Sequence, residues 1–112
     1  LPRAVGFCNA SLMALTGDPV KAEEALRIGL VSKVVEVEDL LVTAQGIAAR
    51  IAANPPHAVR LTKQLLRGSE RSSLDEMLDK SAAFQAICHA EPDHHEAIAA
   101  FFDKRSGDYR KN

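Results

Sequence analysis

The sequence predicts an all-helical chain, and three features indicate this fold class. Apolar residues recur at helical spacing over about four turns within residues 38–53. Glycine, proline and serine interrupt the chain at intervals that suit several helices with short connections. Strand-like alternation of apolar and polar residues is nearly missing, and residues 30–35 are its one candidate. We expect that stretch to be a short extended connection and not part of a sheet.

The first helix is predicted from residues three or four positions apart that share one narrow face: Cys8, Ser11, Leu12 and Leu15. Gly6 is expected to start or bend this helix. Gly17 is expected to end it, because glycine suits the left-handed position after a helix. A short second helix follows over residues 22–28 and stops at Gly29.

The clearest periodic element covers residues 38–53. Its apolar residues repeat the helical spacing over four turns: Val37, Leu40, Leu41, Ala44, Ile47, Ala48 and Ile51. Glu38 and Asp39 lie at its start, where negative charge complements the positive end of the helix dipole. The segment Asn54-Pro55-Pro56 ends it, because a residue before proline avoids the helical region.

Three further helices are predicted in the second half of the chain. The first carries one apolar face and ends near Gly68: Ala58, Leu61, Thr62 and Leu65. Ser72 or Ser73 is expected to cap the second, whose inward residues are Leu74, Met77, Leu78, Ser81, Phe84 and Cys88. The last is predicted over residues 94–105 with Asp93 as its cap.

Composition and charge exclude several classes of protein. The 112 residues suit one domain, and 14 Lys and Arg against 15 Asp and Glu leave a formal net charge of −1. Nucleic-acid and membrane-surface proteins usually need a one-sided basic surface, which this balance does not indicate. No apolar run approaches a membrane span, and no secretory signal pattern begins the chain. Because the chain starts at a leucine, we expect that an upstream part is missing.

Cys8 and Cys88 lie far apart and form no CxxC pair. Free thiols in a reducing cytoplasm are the expected state, so the predicted location is cytoplasmic. Both cysteines occur on apolar helix faces, which predicts buried, unreactive thiols.

Three stretches resemble signatures of the enoyl-CoA hydratase/isomerase, or crotonase, superfamily. Residues 15–17 read LTG, and residues 22–31 read AEEALRIGLV, similar to the family's LTG-x4-AxEAxxxGLV string. Residues 51–56 read IAANPP and are followed by Ala58, Val59 and Lys63, similar to the family's IAxxPPxAVxxxK segment. Residues 99–105 read AAFFDKR, like the family's terminal AFxEKR. The start, LPRAVG, resembles the helix that follows the family's Gly-Gly-rich turn. The resemblance covers essentially the whole chain in the right order.

One position departs from the family pattern. Where the family usually has a capping Asp, Ser or Thr, this chain has Lys21, whose side chain cannot accept the capping hydrogen bond. Either the start of the second helix is frayed, or Asp18 caps one turn earlier with Pro19 in the first helical position.

The resemblance implies that residues 1–112 are the C-terminal helical, subunit-contacting domain of an enzyme with an α/β crotonase spiral fold. Such enzymes stabilise an enolate of an acyl-CoA thioester with two backbone amides, while acidic residues move protons or activate water. These groups lie in the N-terminal spiral, so no catalytic residue is assigned here. The resemblance also implies a homo-oligomer, a trimer or dimer of trimers. No cofactor is expected apart from the coenzyme A of the substrate.

The resemblance further implies a CoA-contacting role for Phe101 and Lys104. These residues are three apart, so a helix would place both on one face. Arg105, Arg110 and Lys111 would add positive potential nearby. The ordinary alternative is structural, because a helical Phe is usually part of a core and a terminal Lys usually complements the helix dipole.

A cluster of potential metal ligands spans Cys88, His89, Glu91, Asp93, His94 and His95. Its spacing argues against a metal site, because adjacent histidines on a helix point about 100° apart and no histidine pair is four apart. These residues are interpreted as solvated helix-end side chains. His57 is likewise interpreted as a surface residue and not as a general base.

The leading hypothesis is therefore a segment of an acyl-CoA-processing enzyme, most specifically an enoyl-CoA hydratase. The alternative is a stand-alone helical interaction or oligomerisation module without catalytic activity. A third interpretation, a His/Cys metal-binding domain, predicts stoichiometric zinc. Hydration, isomerisation and other reactions of the family are not distinguished by these residues.

Overall fold

The computed structural model describes residues 1–109, and the regular secondary structure within them is entirely helical. A 3-10 turn, Val37–Asp39, precedes the third of six α-helices. The helices are α1 (Pro2–Thr16), α2 (Ala22–Arg27), α3 (Leu40–Ala52), α4 (Pro56–Gly68), α5 (Leu74–Ala90) and α6 (Pro92–Phe102). Residues 30–35 form no strand, as expected.

The chain separates into two compact units, Leu1–Thr43 and Ala44–Asn112. The first unit contains α1, α2 and the 3-10 turn, and the boundary falls within α3. The second unit contains the rest of α3 together with α4, α5 and α6. The assignment of residues 1–112 to one subunit-contacting domain remains a prediction.

Helix α1 bends at Gly6, whose backbone is non-helical with φ 79° and ψ 161°. Gly17 ends the helix in the left-handed region at φ 69°, as predicted. The face that carries Cys8, Ser11, Leu12 and Leu15 is not buried within this chain: the buried residues of α1 are Val5 and Ala10, and Leu15 is 86% exposed.

The expectation of two buried thiols is also wrong. Cys8 is exposed and Cys88 is half-buried. Cys8 is exposed because it lies on the exposed face of α1. Cys88 is only half-buried because it lines a cavity at the end of α5, described below.

Helix α2 starts at Ala22 without a side-chain cap. Lys21 occupies the cap position in an extended conformation, and its side chain accepts no hydrogen bond. The earlier start with Asp18 as the cap is not adopted. Glu24 and Arg27 form an exposed ion pair one turn apart, and hydrogen bonds from the guanidinium lower the pKa of the Glu24 carboxyl.

Helix α3 confirms the strongest periodic prediction, and its apolar face is not buried within this chain. No residue of α3 is buried, and its apolar side chains Leu40, Leu41, Ile47 and Ile51 are all exposed. Sequence periodicity therefore identified a helix with an apolar face, but no described element covers that face.

In the second unit, α4 packs against α5 and α5 packs against α6. The buried residues here are Leu61 on α4 and Asp93 and Ala100 on α6. Several residues predicted to face inward on α5 do not: Leu74 and Leu78 are exposed, whereas Met77, Phe84 and Cys88 are half-buried. Helix α5 thus contributes only part of its apolar face to this unit.

The start of α5 confirms the predicted serine cap. The backbone N–H of Glu76 donates to Oγ of Ser73 at 3.3 Å, and the N–H of Ser73 donates to Oε2 of Glu76 at 2.8 Å. This reciprocal capping box satisfies two backbone donors at the helix start. The bond from the Ser73 backbone, followed by that with its side chain, lowers the pKa of Glu76.

Helix α6 starts and ends earlier than predicted. It begins at Pro92, whose fixed φ suits a first helical position, and it ends at Phe102 instead of residue 105. Asp93 lies within the first turn and is buried, and the cap position belongs to Glu91.

Within residues 1–109, none of the helices combines the length and the hydropathy that crossing a membrane requires.

Candidate functional site

The predicted site residues lie at the end of α6, where the chain makes a Schellman turn. The N–H of Arg105 donates to the carbonyl of Ala100 at 3.0 Å, and the N–H of Lys104 donates to that of Phe101 at 3.3 Å. These bonds satisfy two of the carbonyls that a helix end leaves without partners. The turn requires a left-handed residue, and Lys104 fills that position with φ 53°.

Lys104 is the one non-glycine residue with positive φ among residues 1–109. At the ends of α1 and α2 the corresponding positions are occupied by Gly17 and Gly29, with φ of 69° and 77°. A residue with a Cβ in this conformation costs roughly 1–2 kcal/mol relative to right-handed backbone. The chain therefore carries a lysine at a helix end where glycine would be conformationally easier.

The prediction that Phe101 and Lys104 share a helical face is wrong. The helix ends between them, at Phe102, so the helical spacing does not extend to Lys104. The two residues are joined by a backbone hydrogen bond across the turn. Phe101 is 78% exposed, and its ring meets the ring of Phe102 edge to face with centroids 5.8 Å apart. Within residues 1–109, Phe101 is therefore not part of a hydrophobic core.

Arg105 is held in a network with two carboxylates. Its Nη1 and Nη2 donate to the two oxygens of Glu96 at 2.6 and 3.1 Å, and its Nε donates to Asp103 at 3.2 Å. The hydrogen bonds with Glu96, and then those with Asp103, raise the pKa of Arg105 above its ordinary value. The guanidinium is therefore charged and already paired.

This pairing corrects the expectation that Arg105 adds free positive potential. Its charge is balanced by Glu96 and Asp103. Among the described residues, the side chain of Lys104 makes no hydrogen bond or ion pair, so its ammonium is the available cation of the turn. Arg110 and Lys111 lie outside the described residues.

The chemistry available at this turn is binding and not bond making. A lysine ammonium can meet a phosphate as a mobile point charge. An exposed phenylalanine ring can cover a flat heterocycle or an apolar chain.

Sequence reasoning missed Glu96 as a member of this site. It lies nine positions before Arg105 and pairs with it across the end of a helix. Helical spacing gives no signal for such a pair. The left-handed backbone of Lys104 is the feature that points to a supporting contact such as this pair, and it is visible only in the structure.

A second polar group lies where α4 meets the junction of α5 and α6. Nδ1 of His57 is 3.0 Å from Oε1 of Glu91, beside a cavity of about 100 Å³ that Cys88 and His94 also line. The side chain of His57 is 33% exposed, so it lies at the surface while contacting Glu91. Because Glu91 ends α5 and begins α6, the contact joins three helices.

The other histidines of the predicted cluster gather without forming a metal site. The rings of His89 and His94 lie 4.6 Å apart and those of His94 and His95 lie 6.0 Å apart. Within residues 1–109, no group of three His, Cys, Asp or Glu side chains is placed to hold a metal ion.

Comparison with known proteins places the chain in one family. The family model for enoyl-CoA hydratase/isomerase matches residues 1–112. The short-chain-enoyl-CoA hydratase of Clostridium acetobutylicum is 39% identical over 112 residues, which are 100% of this chain and 43% of that protein. The 1,2-epoxyphenylacetyl-CoA isomerase of Escherichia coli is 36% identical over 95% of this chain and 40% of its own length.

A solved structure gives the same result. The enoyl-CoA hydratase of Bacillus anthracis superimposes with a TM-score of 0.94 at 33% identity, over 99% of this chain and 43% of that one. The expected fold class, the helical C-terminal part of a crotonase fold, is thereby confirmed. The chain spans less than half the length of each of these relatives. It belongs to the enoyl-CoA hydratase/isomerase family.

Proposed function

We propose that this chain is the C-terminal helical part of an enoyl-CoA hydratase, in which it contacts the CoA portion of the substrate and neighbouring subunits. The observation that carries the proposal is the turn after α6. It presents Lys104, whose ammonium has no hydrogen-bond or ion-pair partner within residues 1–109, and the exposed ring of Phe101, and a backbone hydrogen bond joins these two residues. The family of the chain acts on acyl-CoA thioesters. A hydratase adds water across the double bond of a 2-enoyl-CoA, with the hydroxyl at C3 and the proton at C2. An enolate of the thioester forms after the oxygen adds at C3 and before the proton adds at C2.

The conformation of Lys104 supports a role for its amine. Strained backbone persists where surrounding contacts over-determine it, and such positions often serve function. A glycine would fit this turn at lower cost, as it does at the ends of α1 and α2. A role for the lysine amine in binding a CoA phosphate gives a reason for the side chain.

The exposed apolar faces support a contact role for the helices. Leu15 on α1 and Leu40 and Leu41 on α3 are largely exposed within this chain. Patches larger than a few hundred Å² usually mark interaction surfaces. In the proposed enzyme these faces meet the N-terminal spiral or a second subunit. The same observation favours the second candidate, a helical oligomerisation module without activity.

One assay separates the two candidates. The full-length protein that carries this chain is incubated with a short 2-enoyl-CoA, and loss of the conjugated-thioester absorbance is followed. A hydratase removes the absorbance and forms the 3-hydroxyacyl-CoA, identified by mass. A full-length protein that binds no CoA and turns over no enoyl-CoA would leave the oligomerisation module as the function.

The site assignment has its own test. Replacement of Lys104 by alanine in the full-length enzyme is expected to raise KM for the enoyl-CoA about tenfold, the effect of losing one charged hydrogen bond. kcat is expected to change little, because the lysine contacts a part of the substrate remote from the reacting carbons. An unchanged KM would remove Lys104 from the site.

A further inference from the structure

Within residues 1–109, the carboxylate of Glu96 accepts three hydrogen bonds from the segment that follows its own helix. Two come from the guanidinium of Arg105, at 2.6 Å to Oε1 and 3.1 Å to Oε2. The third comes from the backbone N–H of Asp108, at 2.9 Å to Oε1. Glu96 is only half-buried, yet it fixes the path of the chain over residues 105–108.

The same network holds both neighbours of Lys104. Arg105, which follows Lys104, donates to Glu96. Nε of Arg105 also donates to Oδ2 of Asp103, the residue before Lys104, at 3.2 Å. Two-pronged contacts between arginine and a carboxylate fix geometry as well as contributing energy. Lys104 therefore lies between two residues whose side chains are joined to each other.

This arrangement matters because the backbone of Lys104 is left-handed. Such a conformation in a residue with a Cβ is held only by its surroundings. The two backbone hydrogen bonds of the Schellman turn supply one constraint, and the side chains of Glu96, Arg105 and Asp103 supply a second. Losing the second constraint leaves the turn free to relax toward conformations that point the lysine elsewhere.

We propose that Glu96 is a positioning residue for substrate binding, which acts through Arg105 to hold Lys104 where its amine meets a phosphate of CoA. The inference rests on the proposed function, because it assumes that Lys104 meets that phosphate. Glu96 itself does not touch the substrate, and its negative charge would repel a phosphate. It also keeps Arg105 occupied, so that Lys104 is the cation that the turn presents.

The test is a double-mutant cycle in the full-length enzyme with two substrates. The substrates are a short 2-enoyl-CoA and the same 2-enoyl thioester of pantetheine, which lacks the phosphates and the adenosine. The variants are Glu96→Gln, Lys104→Ala and the double variant. Glu96→Gln is expected to raise KM for the enoyl-CoA about threefold to tenfold and to leave kcat within about twofold.

Three results together support the inference. Glu96→Gln leaves KM for the pantetheine thioester unchanged. In the Lys104→Ala background, Glu96→Gln adds no further rise in KM for the enoyl-CoA, because a residue that acts through Lys104 has no effect without it. Arg105→Lys, which keeps the charge but lacks the two-pronged contact, reproduces the change. It also takes the place of Glu96→Gln if that variant does not fold.

The contradicting results separate this inference from the proposed function. If Lys104→Ala raises KM for the enoyl-CoA while Glu96→Gln leaves it unchanged or lowers it, the CoA contact stands and the positioning role is overturned. Equal rises in KM for both thioesters would show a general structural role for Glu96 and also overturn it. If Lys104→Ala has no effect on KM, the CoA contact itself is wrong and the inference is overturned with it.

Glu24→Gln serves as the matched control. It removes the two-pronged ion pair with Arg27 on α2, which resembles the pair between Glu96 and Arg105 in its geometry and is more exposed. It is expected to leave KM for both thioesters unchanged. This control shows that loss of an arginine–carboxylate pair is not sufficient to weaken substrate binding.

Discussion

Nδ1 of His57 lies 3.0 Å from Oε1 of Glu91, and this contact ties the first turn of α4 to the residue that both ends α5 and begins α6. The two side chains are 33% and 39% exposed, so the contact is partly screened by water. A partly exposed hydrogen-bonded pair of this kind contributes about 0.5–1 kcal/mol.

We expect the double-mutant cycle of His57→Ala and Glu91→Ala to show this coupling at neutral pH. The free energy of unfolding of the full-length protein is measured in urea for each variant and for the pair. The double variant should lose about 0.5–1 kcal/mol less than the sum of the single variants, because the contact can be lost only once. Additive losses would mean that the contact contributes nothing to stability.

The capping box at the start of α5 predicts a local stability loss. Ser73→Ala removes the oxygen that accepts the N–H of Glu76 and is expected to cost about 1 kcal/mol of unfolding free energy. Ser72→Ala is the matched control, because the neighbouring serine is not the cap. Equal losses in urea unfolding for the two variants would contradict the assignment of the cap.

Glu76 predicts a pH dependence of stability. Its hydrogen bonds lower the pKa of its carboxyl below 4.5 in the folded protein, so the stabilising contribution is present above the unfolded pKa and is lost as the pH falls through the folded one. Glu76→Gln should therefore be less stable than the parent at pH 7, and the difference should shrink below about pH 4.5. Urea midpoints at a series of pH values measure this, and a difference that grows on acidification would have the wrong sign.

Lys104→Gly is expected to change stability and binding in opposite directions. Glycine adopts the left-handed conformation without the Cβ penalty, so the unfolding free energy should rise by about 1 kcal/mol, less the entropy that glycine adds to the unfolded chain. Binding of the enoyl-CoA should weaken, because the ammonium is removed. Thermal unfolding and KM measured on the same preparation give both quantities. A variant that is less stable would contradict the strain assigned to φ 53°.

The exposed apolar faces predict that residues 1–112, expressed alone, associate with themselves. Phe7 and Leu15 on α1 are 79% and 86% exposed. Replacing both with lysine should reduce the association, since it removes apolar area and adds repulsion. Sedimentation at several concentrations measures the distribution of masses, and a monodisperse monomer of the parent sequence at all of them would contradict the prediction.

Local chemistry allowed much of the fold to be predicted from the sequence. The pattern over residues 38–53 identified α3, and the serines at positions 72 and 73 indicated the capped start of α5. Gly17 was recognised because glycine has a distinct reason to end a helix. Each of these signals lies within one turn or one periodic stretch.

Burial could not be predicted in the same way. The apolar face of α3 has the spacing of a core helix, yet no residue of it is buried within this chain. Periodicity shows that a face is apolar but not what covers it. For the same reason Cys8 was expected to be buried and is exposed.

The candidate site was predicted in part. The family resemblance indicated Phe101 and Lys104 as site residues but not their arrangement. A lysine in the sequence gives no sign that its backbone is left-handed. The pair between Glu96 and Arg105 crosses a helix end, where the spacing rule for helical neighbours no longer applies. The end of α6 is therefore where helical spacing no longer predicts which residues meet.

The central proposal is that these helices serve an acyl-CoA enzyme by contacting the nucleotide part of its substrate. The most direct measurement is kcat/KM of the full-length enzyme and its Lys104→Ala variant, each with a 2-enoyl-CoA and with the matching pantetheine thioester. We predict that the substitution lowers kcat/KM about tenfold for the CoA thioester and leaves the pantetheine thioester unaffected. Equal effects on the two substrates, or no effect on either, would contradict the proposal.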